Sequence, residues 1–185
     1  MTTSMTFDGR SRATLRALSC IALAATLSLF GCGRQAERAA EGAADLGPMP
    51  DFSLASLGGE RIARADLLGN VVLFDFWATW CGPCHMQADI LKQVYPEAAK
   101  RGIEFIAVAT GEEAATVRDF VSRRPFPYAV LVDPEEILGG PLEIMALPTL
   151  LIMDRRGQIA YRHTGVADAE AIDAALRAAE GAAGG

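Results

Sequence analysis

Histidine, cysteine and aromatic residues are scarce in this sequence, and their scarcity limits the sites that it can build. The 185 residues include 2 His and 4 Cys, and aromatic residues make up 7%. A tetrahedral zinc site needs four ligands, yet Cys81 and Cys84 are the only cysteine pair beyond the N-terminal segment. We therefore expect no metal site in the folded part of the chain.

Positive charge is also in short supply, and long apolar runs are lacking. The net charge is -6 and no basic cluster stands out, which argues against binding to a nucleic-acid backbone. The longest uncharged and mostly apolar stretch, residues 17–30, is shorter than the roughly 20 residues of a membrane-spanning helix. We expect no nucleic-acid partner, and residues 17–30 suit the core of a signal peptide.

The N-terminal segment resembles the signal of a bacterial lipoprotein. Arginines precede the apolar stretch, which ends in Leu29-Phe30-Gly31-Cys32. This ending is similar to a lipobox, and the similarity implies that Cys32 becomes the lipidated first residue of the mature protein. An uncleaved signal anchor and an ordinary signal peptide cut nearby remain open. All three interpretations place the rest of the chain outside the cytoplasm, and lipidation would hold it at the periplasmic face of a membrane.

The remaining chain is long enough for one folded domain. About half of the chain is apolar, at 51%, which suffices for a single core. We predict a lipoprotein-type signal peptide over residues 1–31 and a flexible tether, rich in Ala, Glu and Gly, over 32–50. The folded domain is predicted over 51–180, and residues 181–185 are predicted to fray.

Strand-like and helix-like segments alternate through the predicted domain. Val71–Trp77 is a nearly continuous apolar run, as expected of a central strand that is covered on both faces. The other predicted segments are a hairpin of 52–54 and 61–63, a helix from about Cys84 that Pro96 kinks and Gly102 ends, a strand over 103–109, a helix capped by Thr110, a strand over 128–132, a short helix near 135–138, a hairpin of 149–153 and 158–163, and a helix over 169–179. This order predicts an α/β fold with a mixed sheet and helices on both faces.

The segment Trp80-Cys81-Gly82-Pro83-Cys84 carries the chemistry that the sequence indicates most clearly. Two thiols one helical turn apart at a strand-to-helix junction can exchange with a foreign disulfide. Cys81 is predicted to lie just before the helix, where free backbone N–H groups favour a thiolate, and Cys84 is predicted to be shielded. Pro83 suits a first helical turn, and Gly82 allows close approach. A purely structural disulfide is the alternative, although so small a ring adds little stability.

Asp75 is the polar residue most difficult to explain by structure alone. It interrupts the apolar run six positions before Cys81, where an unpaired carboxylate is costly. Burial would raise its pKa, so that it could take the proton of Cys84. The alternative is a carboxylate at an accessible strand end that a local backbone hydrogen bond satisfies.

The segment from Asp75 to Cys84, followed later by Leu147-Pro148-Thr149, resembles the thioredoxin superfamily. Pro50-Asp51-Phe52-Ser53-Leu54 and the stretch from Asp66 to Asn70 resemble its exported TlpA/ResA-like branch. The resemblance covers about residues 48–180. It implies a thioredoxin-like fold with an N-terminal β-hairpin extension.

The same resemblance assigns a substrate-binding surface. It implies that Pro148 is a cis-proline opposite the thiols, so that an extended substrate can pair with the chain at Leu147. Trp80 would flank the thiols as part of an apolar docking surface. The chain departs from the exported branch at Asp75, where relatives more often carry a neutral amide, and at Gln87, where they usually carry a glutamate.

Three functions follow as hypotheses. The first is a membrane-anchored reductant of protein disulfides, such as those of apocytochrome c or of oxidised periplasmic proteins, supplied by a membrane electron donor. The second is an oxidase that inserts disulfides, and the third is a redox-inert module that holds peptides at Pro148. No cofactor is expected besides the redox-active Cys81–Cys84 disulfide.

Overall fold

The computed structural model describes residues 46–182. The predicted signal peptide, Cys32 and residues 183–185 lie outside them, as does the predicted tether as far as residue 45. The described elements are β1 (Ser53–Ser56), β2 (Arg61–Ala63), a 3-10 helix (Arg64–Leu67), β3 (Val72–Trp77), α1 (Gly82–Lys100), β4 (Glu104–Thr110), α2 (Ala114–Arg123), β5 (Ala129–Asp133), β6 (Thr149–Met153), β7 (Ile159–Thr164) and α3 (Ala169–Gly181).

The seven strands form one mixed sheet in the order β2-β1-β5-β4-β3-β6-β7. β3, β4 and β5 are parallel neighbours, whereas the other neighbouring strands pair antiparallel. Parallel neighbours need a crossover connection, which α1 supplies between β3 and β4 and α2 supplies between β4 and β5. β3 lies between two strands and every residue in it is buried, which explains its continuous apolar sequence.

Successive side chains of β3 enter two different core layers, because a strand alternates its faces. Leu73 and Trp77 face the three α-helices, where they pack with residues of α1, α2 and α3. Phe74 and Phe76 face the opposite layer, built from the β1–β2 hairpin, the 3-10 helix and the loop of residues 134–148. The predicted thioredoxin-like fold with its N-terminal hairpin is confirmed. Its helices divide unequally between the faces, with all three α-helices on one of them.

α1 differs from its prediction at its start and at Pro96. It begins at Gly82, immediately after Cys81 as N-cap, and runs through Pro96 to Lys100 without interruption. A proline inside a helix removes one hydrogen bond, and the packing of the inner face of α1 against the sheet outweighs that loss. Arg101 ends the helix, followed by Gly102 with a φ of 78°, a left-handed conformation that glycine adopts without penalty.

Two other local predictions were wrong. Thr110 belongs to β4 and does not cap α2, whose N-cap is Glu113. The short helix predicted near residues 135–138 is a series of turns. The buried carboxylate of Asp133 explains them, because it accepts N–H groups from Ile137, Leu138 and Gly139 at 2.7 to 3.0 Å. These donors are satisfied by a side chain instead of by helical carbonyls.

The packed domain begins slightly earlier than residue 51. Pro48 forms a β-bridge with Gln158, and Met49 is only 1% exposed. Residues 48–50 of the predicted tether therefore belong to the folded domain, and Met49 is part of its core. At the other end, α3 extends to Gly181, one residue beyond the predicted domain.

Replacing Asp133 by alanine should destabilise the fold. The substitution leaves three backbone donors without their charged acceptor, and we expect the free energy of unfolding to fall by about 3 kcal/mol. Urea unfolding followed by circular dichroism measures the change. Asp133→Asn, which keeps one acceptor oxygen, should lose less, and a loss below about 1 kcal/mol for Asp133→Ala would contradict the assigned role.

Candidate active site

Cys81 and Cys84 form a disulfide at the N-terminus of α1. Cys81 is the N-cap, and its Sγ accepts the backbone N–H of Cys84 at 3.2 Å. Both cysteines are buried, with Cys81 4% exposed and Cys84 1% exposed. Pro83 lies in the first helical turn, and a side-chain carbon built at Gly82 would meet open space. Cys81 therefore lies just before the helix and Cys84 is shielded, as the sequence predicted.

The turn that leads from β3 to Cys81 is fixed by two side chains that the sequence analysis left without a role. Glu112 accepts both the backbone N–H of Thr79, at 2.6 Å, and its hydroxyl. A ring nitrogen of His85 lies 3.0 Å from the Thr79 carbonyl oxygen, and the ring packs on Phe120. Glu112 follows β4 and His85 lies on α1, so no local sequence pattern shows that they meet at this turn.

Asp75 lies in the middle of β3 and is completely buried. Neither of its carboxyl oxygens has a hydrogen-bond partner among residues 46–182, so the alternative of a satisfied carboxylate at an accessible strand end is wrong. Burial raises the pKa of Asp75 to about 7, because the charged form loses its hydration. Its position on the helix side of β3, beside Trp77, places it in the layer that also contains Cys84.

Two further polar groups are buried in this layer. Gln87, one turn after Cys84 on α1, accepts the backbone N–H of Ala167 through Oε1 at 2.7 Å, which leaves its Nε2 without a partner. The hydroxyl of Tyr128 is also unpartnered within the described residues. Burial raises the pKa of Tyr128, and the charge of Asp75 raises it further. Buried polar groups without partners require a bound water or a functional role.

The Leu147–Pro148 peptide bond is cis, as the family resemblance implied. The side chain of Leu147 packs against the cluster that contains Cys81 and Cys84. Among residues 46–182, neither the N–H nor the carbonyl group of Leu147 has a backbone hydrogen-bond partner. Trp80 is 73% exposed. An extended chain could therefore pair with Leu147 while it contacts Trp80 and the disulfide.

No group of three or more His, Cys, Asp or Glu side chains between residues 46 and 182 is arranged to bind a metal ion. None of the helices in the same range is both long enough and apolar enough to cross a membrane.

The fold and the dithiol together define the class, a thioredoxin-like thiol-disulfide protein. Residues 47–162 match the AhpC/TSA family, and the chain belongs to that family.

Known proteins that this chain resembles support the same class. The thiol-disulfide oxidoreductase ResA of Geobacillus kaustophilus is 31% identical over 67% of this chain and 71% of its own length. ResA of Halalkalibacterium halodurans is 32% identical over 83% of this chain and 85% of its own length. The crystal structure of a thiol:disulfide interchange protein DsbE from Chlorobium tepidum, described there as putative, superposes with a TM-score of 0.66 at 28% identity and covers 71% of this chain and 94% of that one. The chain is thus a thiol-disulfide oxidoreductase.

The burial of Asp75 should make stability depend on pH. Its pKa is 3.8 when exposed and about 7 in the fold, so between these values the folded protein holds a proton that the unfolded chain has released. The free energy of unfolding should therefore fall as the pH rises through this window, by on the order of 4 kcal/mol in total. Urea unfolding of the oxidised protein between pH 4 and 8 measures the fall.

Asp75→Asn should remove most of this pH dependence, since the amide does not titrate. Asp119→Asn, which removes an exposed carboxyl of α2, serves as the matched control and should keep the wild-type slope. Parallel profiles for Asp75→Asn and the wild type would show that Asp75 does not titrate in this window.

Proposed function

We propose that this protein is a membrane-tethered, extracytoplasmic thiol-disulfide oxidoreductase that reduces disulfides of other proteins. The observation that carries the proposal is the Cys81–Cys84 disulfide at the start of α1, together with the unpaired backbone of Leu147, whose side chain packs against the same cluster. This arrangement supplies a reactive sulfur and a place for an extended polypeptide within one surface. The ResA name of the relatives supports the activity.

The first step is attack by Cys81. In the reduced protein, the N–H of Cys84 and the N-terminus of α1 stabilise a thiolate on Cys81. This thiolate attacks one sulfur of the client disulfide, which forms a mixed disulfide and releases the other client sulfur as a thiolate. Exposed Trp80 and the backbone of Leu147 hold the client during this step.

The second step is resolution by Cys84. Its thiol must lose a proton before it can attack the Cys81 sulfur of the mixed disulfide. The buried carboxylate of Asp75, with a pKa of about 7, accepts that proton. The attack forms the Cys81–Cys84 disulfide and releases the second client sulfur, so the client gains two electrons and the protein loses two. A membrane donor of the thiol-disulfide type would return the protein to its dithiol form.

Two observations support reduction over disulfide insertion. The Gly82-Pro83 dipeptide is the one found in reducing thioredoxins, and only one backbone N–H among the described residues reaches the Cys81 sulfur. A strong oxidant needs a highly stabilised thiolate, whereas a negative Asp75 and the nearby carboxylate of Glu112 oppose one. The alternative functions are disulfide insertion and redox-inert peptide binding at Pro148.

A redox titration in glutathione buffers tests the direction. We expect a midpoint potential below about -220 mV, in the range of reducing thioredoxins and glutaredoxins. A value above about -180 mV would assign the pair to disulfide insertion. A pair that no reductant opens, seen as identical alkylation with and without dithiothreitol, would favour the binding module.

The roles of the two cysteines are tested in the same preparation. Cys84→Ser should accumulate a mixed disulfide between Cys81 and the client, because the resolving sulfur is absent. Cys81→Ser is the matched control and should trap no comparable complex. Equal trapping by both variants would contradict the assigned order of attack.

The tether and the clients belong to the same proposal. Lipidation of Cys32 would hold the domain at the periplasmic face of a membrane through the segment that precedes Pro48. Apocytochrome c and oxidised periplasmic proteins are the proposed clients, since both present cysteine pairs that must be reduced outside the cytoplasm.

Cys32→Ala should release the protein from membranes. The acyl-bearing residue is lost, and with it the lipid that is proposed to anchor the chain. Immunoblots of membrane pellets and supernatants measure the distribution, with Cys20→Ala as the matched control that should stay in the pellet. A Cys32→Ala protein that remains membrane-bound would favour the uncleaved signal anchor.

A further inference from the structure

The loop that leads to Pro148 is held by a side chain from another strand. Residues 134–148 connect β5 to β6 without a helix or a strand. Near the end of this loop, Arg162 of β7 donates Nη1 to the Leu142 carbonyl at 2.7 Å and Nη2 to the Glu143 carbonyl at 2.8 Å. A planar guanidinium fork fits two neighbouring acceptors, which the point charge of lysine does not match.

The residues that follow this anchor are also fixed. The N–H of Ile144 donates to the Gly139 carbonyl at 3.0 Å, and the Ile144 side chain packs against the core. Thr149 donates its hydroxyl to the Ala146 carbonyl at 2.7 Å, and the Leu147 side chain is packed. The loop is therefore held on both sides of Met145.

Met145 nevertheless projects into solvent and is 90% exposed, more than any other large apolar residue between positions 46 and 182. Its neighbours are packed or hydrogen-bonded, so its exposure is imposed by the surrounding fold and does not reflect a loose loop. A flexible thioether can adapt to apolar side chains of different shapes. Met145 lies two residues before Leu147, where the backbone is free to pair with an extended chain.

We propose that Met145 determines specificity by contacting an apolar side chain next to the client disulfide, and that Arg162 is a positioning residue that holds Met145 there. This inference rests on the proposed function, because it describes which protein disulfides the same site prefers. The preferred client carries an aliphatic residue beside its cysteine.

The position of Arg162 separates its effect from the chemistry of the thiols. Arg162 pairs with Leu151 across β6 and β7, and cross-strand partners share one face of a sheet. Leu151 belongs to the layer opposite the α-helices. The sheet therefore lies between Arg162 and α1, so loss of Arg162 should move the loop without changing the reduction potential.

The selectivity test compares two disulfide-linked peptides that differ only in a leucine or a glutamate beside the cysteine. Reduced full-length protein should reduce the leucine peptide with the higher kcat/KM. Met145→Ser should lower the ratio of the two kcat/KM values about ten-fold, because a buried apolar contact of that size is lost. Leu68→Ser, which shortens an exposed side chain beside the turn at Gly157, is the matched control and should keep the wild-type ratio.

The positioning test uses Arg162→Gln and Arg162→Lys. Arg162→Gln should raise KM for the leucine peptide several-fold with a smaller change in kcat, while the midpoint potential of the Cys81–Cys84 pair stays at the wild-type value. Arg162→Lys should restore part of the lost affinity, since it keeps the charge without the fork. Arg155→Gln removes a positive charge at the turn after β6 and should leave KM unchanged.

The outcomes separate this inference from the proposed function. A wild-type protein that reduces neither peptide would overturn the proposed function. A wild type that reduces both peptides, with the same selectivity after Met145→Ser, would overturn only the role of Met145. A shifted midpoint potential or an unchanged KM in folded Arg162→Gln protein would overturn the positioning role, and thermal unfolding verifies that each variant is folded.

Discussion

A buried carboxyl group without a partner is the constraint on which this site depends. Asp75 lies in a strand that is covered on both faces, where an apolar residue would pack at lower cost. The two core layers on either side of β3 stabilise the fold enough to offset this cost. Because the carboxyl is desolvated, its pKa moves to about 7, so the group titrates near neutral pH.

The sheet brings the parts of the site together from distant stretches of the chain. β3 carries Asp75 and ends just before the turn to Cys81, while its antiparallel partner β6 begins directly after Pro148. The register that pairs Phe76 with Thr149 therefore fixes the distance between the dithiol and the cis-proline loop. Trp80 stays exposed in the turn between β3 and Cys81. Glu112 and His85 hold this turn through Thr79.

Sequence patterns predicted the elements whose signals are local. The apolar run of β3 and the Cys-x-x-Cys spacing identified the central strand and the dithiol, and the family resemblance placed Pro148. In both failures a side chain took hydrogen bonds that a predicted helix would have used. Asp133 turned a predicted helix into a series of turns by accepting N–H groups four to six residues later. Glu112 binds Thr79 where a helix start was predicted, and this pairing is a tertiary contact that no short pattern records.

The loop of residues 134–148 shows how one connection can be rigid without regular structure. Its backbone is held at the start by a buried acid and near its end by a base from an edge strand, so fixed side-chain geometry takes the place of a helical ladder. A rigid loop loses little entropy when a client binds, which makes it a better recognition element than a flexible one. An exposed methionine on such a support adds adaptability only at its side chain.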